Sequence, residues 1–219
     1  MKNKTNFLRL PLLFMGVFLF FAISCDKDDD NDINDNDING EECVDADGNV
    51  YQTVVIGNQE WMAENLAYAP SSGNYWAYDN DDANVEVYGY LYDWQTALNV
   101  CPTGWHLPSD EEWTELTDYL GDNAGGKLKA TGTIEAGTGL WVDPNTGATN
   151  ETGFTARPGG YHRGSNGTFY NVGSSGHWWS ATEFSTNYAW SRRMNYNQSN
   201  VHRSRYNKEL GYSVRCLRD

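Results

Sequence analysis

The run CPTGWHLPSDEEWTELTDYLG, residues 101–121, combines a cysteine, a short aromatic strand, a proline stop and a capped amphipathic helix. Ser109 and Glu112 stand in S-x-x-E order, the capping box in which each side chain satisfies a backbone N–H at a helix start. Pro108 ends the preceding GWHL strand, because proline fixes φ and removes a ladder donor. Beyond the cap, Trp113, Leu116 and Leu120 recur at helical spacing, while Asp110, Glu111, Glu115 and Asp118 are expected on the other faces. Acids in the first turn suit the positive end of the helix dipole, and Gly121 supplies a left-handed stop.

Toward the N-terminus, Asp93 caps an expected short helix over residues 94–100. Before it lie a β-rich segment (85–92) and a long polar loop (69–84). A turn at Asp47-Gly48 leads into a hairpin, with residues 51–56, the Gly57-Asn58 turn and residues 60–62. Toward the C-terminus, residues 121–150 are poor in apolar side chains, with Leu128, Ile134, Leu140 and Trp141 as expected anchors. Short β segments follow at 160–163, 168–172, 177–182, 189–196 and 211–217, separated by Gly and Asn turns. Two short helices, then short antiparallel strands with long irregular loops, give an α+β domain. With 9 Trp and 14 Tyr, its core is expected to rest on aromatic rings.

The N-terminal part has a different character. Lys2, Lys4 and Arg9 precede an apolar run over residues 10–23, too short to span a bilayer and suited to a secretory leader over residues 1–24. The run ends in AISC, which resembles the bacterial lipobox and implies cleavage before Cys25, with diacylglycerol on its thiol and a palmitate-type chain on its amine. Residues 26–42 carry nine acids against Lys27 and read as an extended, solvated spacer. A Lys and acids directly after a lipidated Cys resemble the surface-export signal of Bacteroidetes-type lipoproteins, which implies an outer-membrane protein facing outward. Asp35, Asp37, Asn39 and Gly40 match half of a calcium loop, but Ala46 stands where the bidentate Glu belongs.

Charge is uneven within residues 43–219. Residues 43–151 hold 18 acids with only Lys127 and Lys129 as bases, whereas residues 152–219 hold nine Lys/Arg against Glu183, Glu209 and Asp219. The two halves are expected either to pair across the fold or to leave an arginine-lined face for an anionic ligand. A net charge of −15 argues against a nucleic-acid partner, whose binding rests on neutralising phosphates. With Cys25 lipidated, Cys43, Cys101 and Cys216 remain, and two of them should pair outside the cytoplasm. Of the possible pairings Cys101–Cys216 is favoured, since both flank strong structural stretches and Cys43 adjoins the spacer.

Blocks in order along residues 43–219 resemble one known family. DGNVYQTVVIGNQEWMAENL (47–66), YGYLYDWQTA (88–97), CPTGWHLPSDEEW (101–113), HWWSATE (177–183) and GYSVRCLRD (211–219) look like the Fibrobacter succinogenes major paralogous domain. HLPSDEEW and GYSVRC also resemble the formylglycine-generating-enzyme branch of the C-type-lectin-like architecture. The resemblance implies a C-type-lectin-like fold in which a disulfide ties an early helical region to the last strand, in agreement with Cys101–Cys216. It carries no single activity.

Two enzyme chemistries of that branch can be tested on residues. A copper site needs two nearby late cysteines, and only Cys216 is late; an iron site needs clustered histidines, and His106, His162, His177 and His202 are scattered. No nucleophile elbow, phosphate loop or H-E-x-x-H is present. Binding has better material. Tyr161, Tyr170, Trp178 and Trp190 offer faces for sugar rings or peptide side chains, and Arg163, Arg192, Arg203 and Arg205 can clamp carboxylates or sulfates. Alternation in HWWSATE places at least one of its tryptophans in the core. The expected function is therefore a cell-surface lipoprotein whose non-catalytic, cofactor-free lectin-like domain binds extracellular glycan or protein. The alternatives are a metal-dependent oxidoreductase and a purely structural envelope protein.

Overall fold

The computed structural model describes residues 42–164 and 166–219; the leader, Cys25, the spacer through residue 41 and the half calcium loop lie outside them. In chain order the elements are β1 (Cys43–Val44), β2 (Val50–Tyr51), β3 (Thr53–Ile56), β4 (Gln59–Met62), β5 (Tyr75–Trp76), α1 (Ala83–Tyr88), β6 (Leu91–Tyr92) and α2 (Trp94–Ala97). There follow β7 (Trp105–His106), α3 (Asp110–Leu120), α4 (Ala124–Leu128), β8 (Gly159–Arg163), β9 (Thr168–Val172), β10 (Ser175–Ser185), β11 (Tyr188–Asn195), β12 (His202–Asn207) and β13 (Leu217–Arg218). The class is α+β, with sheets of strand order β12-β11-β10-β8-β9 and β3-β4-β13-β7 and two short strand pairs.

The opening stretch folds as its residues dictate. Ser109 Oγ accepts from Glu112 N at 3.1 Å, and Glu112 Oε2 accepts from Ser109 N at 2.7 Å, closing the capping box. Trp113, Leu116 and Leu120 are buried, and Gly121 ends α3 at φ 66°. The Trp113 ring lies 4.7 Å from Trp61 and 6.0 Å from Phe154, and Phe154 meets Trp61 edge-on at 5.7 Å. Each such aromatic pair contributes about 0.5–1.5 kcal/mol beyond its area burial. His106 bridges Glu112 at 3.0 Å and Asp219 at 2.7 Å, so it locks strand, helix and C-terminus together.

Cys101 and Cys216 form a disulfide across 115 residues, and Cys43 is free and buried. The segment ahead of β13 departs from expectation. Residues 211–217 are all buried, but only Leu217 lies in a strand. The rest threads between other elements: Tyr212 exchanges backbone bonds with Tyr92, Ser213 with His177 and Trp179, and the carbonyls of Val214 and Cys216 accept from Leu66 and Met62. Every buried backbone group needs a partner, and here successive residues find theirs on different elements, which prevents a regular strand.

Other differences have local causes. Residues 85–88, rich in valine, are helical in α1, where Gly89 at φ 73° closes the turn on Val85 O. Tertiary packing overrides the β preference of Val85 and Val87. Ile134 is 50% exposed and anchors nothing, while Leu128 and Trp141 are fully buried. β12 has no apolar run because it is an edge strand with Arg203 and Arg205 on its exposed side. Trp178 and Trp179 are both fully buried, since β10 is covered on both faces: Trp179 packs with Tyr92, Tyr212 and Val214, and Trp178 with Trp61, Trp113 and Phe154.

Candidate functional site

The face of β10 that carries Trp179 also carries His177, and from it a row of side chains crosses the five-stranded sheet. Tyr170 of β9 pairs with Tyr161 of β8, His177 of β10 with Arg193 of β11, and Arg193 with His202 of β12. Tyr161 lies next to His177 because β8 and β10 run parallel in register at Gly160 and Gly176. The rings confirm the adjacency: Tyr161 stacks on Tyr170 at 5.3 Å and meets His177 edge-on at 5.2 Å. Tyr212, from the threading segment, lies 4.8 Å from His177, and Tyr206 of β12 lies 5.6 Å from Tyr212.

These groups enclose a cavity of about 420 Å³. Tyr161, Tyr206 and Tyr212 supply ring surface, His177 and Arg193 line it from the sheet, and Arg163, Asn171, Asn207 and Glu209 add polar groups. Such a mixture of ring surface with a few convergent polar groups is typical of small-ligand sites. His177 Nε2 shares a hydrogen bond with Ser175 Oγ at 3.0 Å, while its Nδ1 is buried without a partner. Burial, reinforced by the Arg193 charge, drives the imidazole down to a pKa of about 3, so it is neutral at physiological pH. An imidazole with so low a pKa is a weak base, and Ser175 is itself only 3% exposed.

A larger open groove of about 980 Å³ lies between the β3–β4 turn and α3, lined by Glu111, Glu115, Asp118 and Tyr119. Glu111, Glu115 and Asp118 are the solvated face of an amphipathic helix, Asp110 at its edge is held by Arg192 and Arg203, and among the described residues no buried unpartnered side-chain atom belongs to its lining. The sheet-face cavity has both ring surface and incompletely bonded polar groups, and it is the better candidate.

The expected ligand residues divide into three sets. Tyr161 and Arg163 line the cavity, with Tyr170 stacked behind Tyr161. Trp190, Arg203 and Arg205 form a separate surface patch, where Arg203 stacks on Trp190 at 3.6 Å and Arg205 on Phe184 at 4.3 Å. Trp178 and Arg192 are corrected: both are interior. The Trp178 indole donates to Asn65 Oδ1 at 3.0 Å, and Arg192, 2% exposed, donates to Asp110 Oδ1 at 2.6 Å. Neither can meet a ligand.

Asp110 is corrected with Arg192. Instead of facing solvent it is 3% exposed and also accepts from Arg203 Nε and Nη2. Burial works to raise its carboxyl, but hydrogen bonds and charge from Arg203 and Arg192 outweigh it and hold it below the usual range. Pairing between the two halves is thus real: Arg157–Glu64 and Arg218–Glu60 also meet, whereas Lys127–Glu151 and Lys208–Glu183 pair within a half. Tyr206 and Tyr212 carry no local signal of a site, because β12 has no apolar run and residues 211–217 have the pattern of a plain strand. Alternation within HRSRYN was the available signal for Tyr206.

His162 stacks on Trp76 at 3.9 Å, and His202 bonds Gln198, so the histidines serve different places. Among the described residues no three His, Cys, Asp or Glu side chains group to hold a metal ion, and no helix is long and apolar enough to cross a membrane. No curated protein and no solved structure matches the chain. Residues 54–218 match the Fibrobacter succinogenes major domain, and the chain, with its disulfide-tied α+β fold and tyrosine-walled cavity, belongs to that family.

Proposed function

We propose that this protein is a lipid-anchored outer-membrane protein whose C-type-lectin-like domain binds an extracellular glycan or surface protein without transforming it. The observation that carries the reading is the cavity on the five-stranded sheet, where Tyr161, Tyr206 and Tyr212 present ring surface beside Arg163 and Arg193. Aromatic planes take the apolar faces of sugar rings or side chains, and guanidinium and amide groups fix their polar edges. The neutral, weakly basic His177 beside a buried serine suits binding better than proton transfer. The disulfide between Cys101, ahead of α3, and Cys216, next to the last strand, supports the lectin-like architecture, since the family resemblance implies a tie of that kind.

The test is a glycan array and a cell-surface pull-down with the full chain, repeated with Tyr161→Ala. The expected result is a ligand retained by the wild type and weakened roughly tenfold by loss of one aromatic anchor. Retention of no ligand, turnover of a bound one, or unchanged binding by Tyr161→Ala would each overturn the reading.

A further inference from the structure

Five of the eight arginines in residues 43–219 are matched by acids or carbonyls, and Arg205 stacks on Phe184. Arg192 and Arg203 share Asp110, Arg157 and Arg218 face Glu64 and Glu60, and the interior Arg215 bonds Asn65 Oδ1 and the carbonyls of Met62, Phe154 and Thr155. Arg193 is different. It is half-buried, its Nη1 donates a long hydrogen bond to the Tyr206 hydroxyl at 3.4 Å, and its Nε is buried with no partner. Among the described residues neither Arg193 nor Arg163 on the cavity rim forms an ion pair, although 30 acids outnumber 15 bases in the chain. Glu209 lines the same cavity without bridging to either.

His177 adds an independent sign. It is 3% exposed, it lines the cavity, and its Nδ1 is buried without a partner. Buried polar groups left unbonded are unfavourable, and a half-buried cation without a counter-charge more so. This chain therefore brings to one cavity two cations without a counter-charge and an unbonded imidazole nitrogen, while Glu209, the carboxylate in its lining, pairs with neither arginine.

The walls narrow the class of that acceptor. The tyrosine rings offer flat apolar surface, and Asn171 and Asn207 each offer a donor and an acceptor, which suits a pyranose with its C–H face and ring hydroxyls. An extended peptide is commonly bound by strand addition along a sheet edge and an acidic motif by a cluster of arginines; this cavity lies across the sheet face, and tyrosine rings outnumber its two arginines. We infer that the cavity is specific for an acidic sugar, a hexuronate residue whose carboxylate is held by Arg193 with Arg163 at the rim and whose ring packs on the tyrosines. This assignment rests on the glycan form of the proposed function.

Calorimetric titration of the full chain in detergent tests it with three probes: trigalacturonate, a hyaluronan hexasaccharide and a trimannuronate, each beside its methyl ester, with hexaglutamate as the acidic-peptide probe. At least one uronate is expected to bind, with its ester weakened tenfold or more. Arg193→Gln should bring acid and ester to the same affinity. Arg163→Gln, at an exposed position where folding is not at issue, should weaken the acid to a smaller degree. An ester that binds as well as the acid overturns the acidic-sugar assignment and leaves glycan binding standing, as does a neutral array glycan that binds when no uronate does. Hexaglutamate binding as tightly as the uronates shows that charge alone is read and overturns the sugar assignment. No binding of any glycan overturns the acidic-sugar assignment together with the glycan form of the proposed function.

Discussion

Replacing Asp110 with asparagine removes one charge from the most enclosed ion cluster of the fold. Asp110 and Arg192 are 3% and 2% exposed, whereas the Arg203 side chain is 50% exposed. In Asp110→Asn the Arg203 head turns to water, so its share of the loss stays within about 1 kcal/mol, as for surface pairs. Arg192 has no such exit. It keeps the Asp110 carbonyl at 2.8 Å and Thr114 Oγ1 at 3.0 Å, both neutral, and an amide nitrogen can now oppose its own N–H groups. Stranding one partner of a buried pair typically costs about 3–5 kcal/mol, and that range is the expected loss here. Arg192→Met should cost less, about 2 kcal/mol, because Asp110 retains its bonds from Arg203. The double variant should then be more stable than the sum of the two, by on the order of 2 kcal/mol, since no unpaired interior charge remains. Urea unfolding of the oxidised protein, followed by tryptophan fluorescence with an unchanged m-value, reads all three numbers. A loss below about 1 kcal/mol for Asp110→Asn, or additivity within about 0.5 kcal/mol in the double variant, would refute the reasoning.

Reduction of Cys101–Cys216, which closes a loop of 115 residues, should lower stability by about 5 kcal/mol in the chain-entropy model; unfolding with and without reductant measures it, and a change under about 1 kcal/mol contradicts that model here. Cys43 is 1% exposed and burial pushes its thiol up to about 12, so it should resist an aqueous thiol reagent in the native state and react at once in urea. Rapid native labelling would show that β1 opens freely. His177 has a pKa of about 3 when folded against about 6.5 unfolded, so the unfolded chain binds more protons between those values and stability falls as pH drops below 6.5. The slope is at most about 1.4 kcal/mol per pH unit, and between pH 6.5 and 4.5, above the Asp110 range, His177→Phe should flatten it. Equal slopes for the two proteins would assign the acid sensitivity elsewhere.

Local rules carry part of this fold from the residues alone. Ser109, Glu112, Trp113, Leu116, Leu120 and Gly121 specify α3 through capping and period, and both ends of that helix form as read. The Gly57-Asn58 turn specifies the β3–β4 hairpin in the same way. Three cysteines leave three pairings, and Cys101–Cys216 was legible because both flank strong structural stretches while Cys43 adjoins the spacer. Tertiary structure decided the rest. Whether Trp178 faces solvent depends on a second layer over β10, which no alternation pattern along one strand contains. Whether Asp110 is a solvated acid or an interior ion depends on Arg192 and Arg203, more than 80 residues away. The cavity is the clearest case. Tyr161, His177, Arg193, Tyr206 and Tyr212 are far apart in the chain and meet only because β8 and β10 run parallel while β11 and β12 return antiparallel. Register across strands places side chains on a face, and register is a property of pairing rather than of any single segment.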